Sequence, residues 1–170
     1  MAYGNVKLPP AIIDVEASGF GPDSYPIEVG VVLDNGEKYC TLVQPAPDWT
    51  HWDTEAELVH KVSREILAEH GKPMRAVAEE LNEIIGPRDV YTDGWVVDST
   101  WMIKLFTAAG LGAAFSVRAL EMILSESQME IWHDTKDRIL KEMALKRHRA
   151  SNDAVIIQQT YMATHTAQSR

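Results

Sequence analysis

Residues 11–16, Ala-Ile-Ile-Asp-Val-Glu, close an apolar run of strand length with two carboxylates spaced two apart. On an extended chain Asp14 and Glu16 face the same side. Charge beside a buried strand costs free energy unless something compensates it. Asp14 and Glu16, at the carboxyl end of this strand, are therefore either ligands at a site or a plain surface pair. Asp98 follows further along, then His148 and Asp153 in an H-x4-D spacing. Carboxylates are hard oxygen ligands, and several converging on one spot hold Mg²⁺ or Mn²⁺. Two such ions about 4 Å apart activate a water and stabilise the leaving oxygen in phosphodiester cleavage. A histidine beside them can take the proton of that water. The set reads as a metal-dependent nuclease site, with Asp14, Glu16, Asp98 and Asp153 as ligands and His148 as base.

The rest of the chain supplies a scaffold of matching kind. Residues 25–33 are rich in branched side chains and read as a second strand. Asp34-Asn35-Gly36 is a hairpin turn, with residues 38–43 as the antiparallel partner. Asp53 and Ser63 are suited to cap two helices. Residues 73–85 carry Val77, Leu81, Ile84 and Ile85 at helical spacing and stop at Gly86-Pro87. A short strand over 89–92 precedes a helix over 98–109, ended by Gly110. Residues 115–119 fit a strand or a helix, and 135–146 and 152–163 read as the last helices. A strand meander followed by strand–helix alternation builds an α/β layout around a mixed sheet. Asp98 would then begin a helix, where the dipole also favours an acid on structural grounds alone.

At 170 residues the chain is expected to form one domain, with its core at about 11–163. No run approaches the roughly 20 apolar residues of a membrane span. The first ten residues lack the apolar segment of a secretory signal. One cysteine, Cys40, excludes an internal disulfide and is expected to pack within a strand. These features favour a cytoplasmic protein. A net charge of −9 argues against a scaffold that grips a long polyanion, but not against a nuclease that engages one strand end. Lys141, Lys146, Arg147 and Arg149 are either a local phosphate contact or a solvated face. Trp49 and Trp52 are expected to pack over the sheet rather than to stack on bases.

With these residues in hand, the chain resembles the DEDDh family of 3′-to-5′ exonucleases, of ribonuclease T, oligoribonuclease and polymerase-proofreading type. The resemblance runs from about residue 11 to residue 162. Residues 12–20, Ile-Ile-Asp-Val-Glu-Ala-Ser-Gly-Phe, match a first motif that commonly reads D-x-E-T-T-G-L. Residues 91–106 match the second and residues 148–154 the third, while Val59-His60-Lys61-Val62-Ser63 is similar to a V-H-G-I-T segment. Gly94 replaces a common Asn, Lys61 a glycine and Ala17-Ser18 two threonines. Asp93 competes with Asp98 for the second motif, and the apolar Trp101-Met102 and Leu105-Phe106 favour Asp98.

The resemblance implies a ribonuclease H-like mixed five-stranded sheet flanked by helices. It also implies two Mg²⁺ or Mn²⁺ ions and a single-stranded 3′ end of RNA or DNA as substrate. Ser18, Gly19, Phe20 and His60 would lie against the terminal nucleotide. Relatives are often homodimers. A polymerase-associated proofreading subunit and a non-catalytic binding module are the other readings that the same residues allow.

Overall fold

The structure, a computed structural model, describes residues 9–144 and 148–167. Five strands form one mixed sheet in the order β3-β2-β1-β4-β5. They are β1 Ile12–Ala17, β2 Pro26–Val32, β3 Lys38–Leu42, β4 Asp89–Thr92 and β5 Ser116–Ala119. The first three run antiparallel, β2 and β3 joined by a short hairpin turn, and β4 and β5 are added parallel to β1. The chain leaves the carboxyl end of β1 on one side and returns through β4 on the other. That divergence opens a crevice at the carboxyl edge of the sheet, where α/β proteins bind ligands.

Among the described residues six α-helices flank the sheet: α1 Thr54–His60, α2 Arg64–His70, α3 Met74–Ile85, α4 Trp95–Ala109, α5 Glu126–Met143 and α6 Ala150–Ala167. Strand periodicity divides the central residues between two cores. Ile13, Val15, Val29 and Val31 pack against Val77, Leu81, Leu105 and Phe106 of α3 and α4. Ile12 and Val32 pack on the opposite face against Trp132 of α5 and Ala154, Ile157 and Tyr161 of α6. Asp14 and Glu16 share the α6 face with Ile12, since they follow it at intervals of two. A third cluster, of Tyr25, Ile27, Val62 and Leu67, takes Trp49 and Trp52 against it, as expected for those tryptophans.

Several sequence expectations need correction. Helix α4 begins at Trp95, so Asp98 lies in its first turn and does not begin it. Helix α5 begins at Glu126, nine residues before the expected start at 135. Its Ser125 and Gln128 form a reciprocal capping box. Residues 116–119 are a strand, one of the two forms that the sequence allowed. Cys40 lies in β3 but is exposed, and its thiol donates to Glu28 Oε1 at 3.3 Å. Lys146 and Arg147 lie outside the described residues. Among the described residues no helix is long and apolar enough to cross a membrane.

Candidate active site

A cavity of about 350 Å³ opens at the carboxyl edge of β1 and β4. Asp14, Glu16, Asp98, His148 and Asp153 all line it, although they come from three distant segments. β1 delivers Asp14 and Glu16 along its α6 face. The first turn of α4 delivers Asp98, which is 4 % exposed and accepts the hydroxyl proton of Thr92. Thr92 closes β4 and accepts in turn from Gly94 N at 3.0 Å, so the strand end and the helix start are tied through one side chain. The first turn of α6 delivers Asp153, whose Oδ2 accepts from His148 N at 2.9 Å. His148 has φ +59°, a left-handed conformation that costs a non-glycine residue about 1 kcal/mol or more.

Glu16, His148 and Asp153 each offer a ligand atom within 4.8 Å of the other two. Asp14 and Asp98 share the cavity but not that trio. The electrostatics show how crowded the acids are. Burial first, then the neighbouring Asp98, Glu16 and Asp153, hold the Asp14 carboxyl well above the usual carboxylate range. Burial, then Asp153, Glu28 and Asp98, push Glu16 up to about 8, against the lowering influence of Arg149. Asp98 rises to about 7, chiefly by burial. Such a set binds protons when it lacks a cation, and a divalent ion reverses that preference. The donors are dominated by hard oxygens, which suit Mg²⁺ or Mn²⁺.

The remaining residues expected at the site divide into two groups. Phe20 is 74 % exposed at the cavity rim, with its ring centroid 6.1 Å from that of Trp101. Gly19 lines the cavity at φ +147°, where a Cβ would meet Asp53 Cβ at 2.7 Å. His60 also lines it, and its buried Nε2 has no hydrogen-bond partner among the described residues. Its Nδ1 accepts from Val62 N at 3.1 Å, which assigns the remaining proton to Nε2. Burial lowers its pKa, consistent with a neutral ring.

Ser18 differs from these three. It is fully buried and does not line the cavity, its N–H donates to Tyr25 O at 2.9 Å, and its carbonyl accepts from Asp53 N at 2.8 Å. Its hydroxyl accepts from Tyr25 N and lies 2.9 Å from His51 Nδ1. Ser18 shapes the turn that carries Gly19 and Phe20, and both of its backbone hydrogen-bonding groups are already engaged.

Sequence reasoning weighed Asp93 only as a rival to Asp98 and did not single out Lys136 or Glu28, which bear on the site. Asp93 lines the cavity and is held by Lys136 Nζ of α5 at 2.6 Å. Glu28 in β2 lies opposite Glu16 in the antiparallel register, buried and bonded to Arg149. An acid inside a run of branched residues was the available signal for Glu28.

The sheet order, the flanking helices and the crevice define an α/β protein of ribonuclease H-like fold. No protein-family model matches the chain, and no curated protein sequence matches it. Solved structures do. E. coli exonuclease I in complex with a 5cy-dT13 oligonucleotide matches with a TM-score of 0.72 at 14 % identity, over 96 % of this chain and 42 % of that one. A product-bound structure of exonuclease I gives 0.69 at 14 %, over 96 % and 45 %. The zinc ion-bound form of the E. coli ExoI–ssDNA complex gives 0.69 at 14 %, over 95 % and 41 %. The chain thus spans less than half the length of these exonuclease I chains.

Proposed function

We propose that this chain is a metal-dependent 3′-to-5′ exonuclease that removes nucleoside monophosphates from single-stranded nucleic acid. The observation that carries the reading is the convergence of Asp14, Glu16, Asp98, His148 and Asp153 in one cavity. The fold shared with exonuclease I, solved with oligonucleotides bound, supports it.

Asp14, Glu16, Asp98 and Asp153 would hold two Mg²⁺ or Mn²⁺ ions. Such ions supply an activated water and charge stabilisation at the leaving oxygen. The chain's own part is positioning and proton transfer. Thr92 orients the Asp98 carboxylate. Asp153 holds the backbone of His148, whose ring faces Glu16 and Asp153 and would take a proton from the attacking water. Phe20 would stack on the terminal base, and Gly19 lets the turn that carries it pass close against Asp53. His60 Nε2–H, buried at the cavity with no hydrogen-bond partner within bonding geometry among the described residues, would donate to the bound nucleotide.

The test is a product ladder on 5′-labelled and 3′-labelled DNA and RNA oligonucleotides, with and without EDTA. A 5′-labelled strand should shorten one nucleotide at a time in Mg²⁺ or Mn²⁺, and EDTA should stop it. Efficient cutting of circular single strands, or full activity after exhaustive chelation, would overturn the proposal.

A further inference from the structure

Glu28 has the chemistry of a metal ligand and the geometry of something else. It stands directly across from Glu16 in the β1–β2 register, on the face that α6 covers. Its side chain is only 1 % exposed, and it does not line the cavity. Its oxygens are already taken. Arg149 Nε approaches both carboxylate oxygens at 3.1 Å, and Arg149 Nη2 donates to Oε1 at 2.7 Å. Ala150 N, the first amide of α6, donates to Oε2 at 3.2 Å, and Cys40 donates to Oε1 at 3.3 Å. A carboxylate so occupied has little capacity left for an ion.

These bonds hold the segment that carries His148 and Asp153. Arg149 lies between the histidine and the helix, and its carbonyl accepts from Asp153 N at 3.0 Å. The same β2 face brings Gly30 against the helix start, so close that a Cβ there would lie 2.2 Å from Ala150 C. On the other side of Arg149, His148 occupies its left-handed conformation. A backbone held in such a region persists only where the surroundings over-determine it.

We infer that Glu28 is a positioning residue that, through the Arg149 fork and the first amide of α6, sets the placement of His148 and Asp153. The inference deepens the nuclease reading and rests on it for its catalytic consequence. The placement itself rests only on the geometry. Arg149 is required as an arginine, because a lysine keeps the charge but cannot make the two-pronged contact.

Two measurements on the full chain test this. The first is kcat and KM for a 5′-labelled oligo-dT in saturating Mn²⁺, for wild type, Glu28→Gln, Arg149→Lys and the double variant. Each single variant should lose about 10- to 100-fold in kcat, the usual cost of disturbing a group that orients ligands. KM should stay within about threefold, since the groups that touch the strand remain. The double variant should lose little more than either single one, because both break the same connection. Rescue by Arg149→Lys would reduce the contact to bare charge and overturn the inference.

The second measurement is amide hydrogen exchange without metal or oligonucleotide. Glu28→Gln should speed exchange in peptides covering 148–153 and leave β1 and α3 unchanged. Unchanged exchange at 148–153, or an increase spread over the whole chain, would overturn the inference whatever the rates do. If the wild type cuts no DNA or RNA, the nuclease reading falls, and the exchange measurement alone decides whether Glu28 holds this segment.

Discussion

His148 combines two demands that pull in opposite directions. Its side chain is the proposed base, while its backbone sits at φ +59°, where glycine costs least. Replacement by glycine should therefore separate the two. His148→Gly should gain up to about 1 kcal/mol in stability by relieving the left-handed residue. It should lose roughly 10²- to 10⁴-fold in rate, the usual range for removing a positioned base. Thermal melting and single-turnover cleavage on the same preparation check both halves. An unchanged rate would assign proton removal to another group. Asp14 is a second case in which function and stability oppose one another. Burial and the surrounding acids Asp98, Glu16 and Asp153 strain its carboxylate in the metal-free protein. Asp14→Ala should abolish turnover yet raise the melting temperature measured in EDTA. Turnover that survives in a folded Asp14→Ala protein would contradict its assignment as a ligand.

At the scale of elements, the contact between β2 and α6 decides whether the site forms. Gly30 allows the two backbones to touch, and the first alanine methyl added there would strike main-chain atoms that cannot rotate away. Gly30→Ala should cost at least about 1–3 kcal/mol, the range for overpacking a core. It should also lower the cleavage rate, because α6 carries Asp153. Equal melting temperatures for Gly30→Ala and wild type would show that the two elements have room to spare. The elements also differ in how far the sequence revealed them. The first three strands were legible because branched runs and Asp34-Asn35-Gly36 punctuate them clearly, whereas β5 was left open between strand and helix, and Asp53 and Ser63 cap α1 and α2 as their residue types suggest. The start of α4 was not, because Gly94 caps it without a side-chain bond and Trp95-Val96-Val97 favours strands as much as helices. The start of α5 was missed although Ser125 and Gln128 announce it, because its first turns bury little beyond Gln128 and Trp132 and show weak apolar spacing. The ordered acids and histidine were readable as a set. The roles of Glu28 and Lys136 were not, since both act through partners distant in the chain.

For the whole molecule, the acidic cluster makes stability depend on pH in a direction that can be worked out. Unfolded Glu and Asp carboxyls titrate near 4.5 and 3.8, whereas Glu16 is pushed up to about 8 and Asp98 to about 7 in the fold. Between those limits the unfolded chain releases protons that the folded chain retains. The contribution of these groups is therefore fully favourable below about pH 4 and is lost as pH rises towards 8. In EDTA the melting temperature of the wild type should fall across that window more steeply than that of Glu16→Gln, and saturating Mn²⁺ should remove the difference. Parallel curves for the two proteins would contradict the electrostatic account. The joint between β2 and α6 has a consequence in time as well. Glu28 and Ala150 are 122 positions apart in the chain, so their bond closes a very long loop. Contacts of such sequence separation carry their loop-closure entropy before any reward and form slowly. On dilution from denaturant, far-ultraviolet ellipticity should recover first and nuclease activity should lag behind it. During that interval the chain has its helices and much of its sheet but remains catalytically silent, until the last helix lands on the second strand.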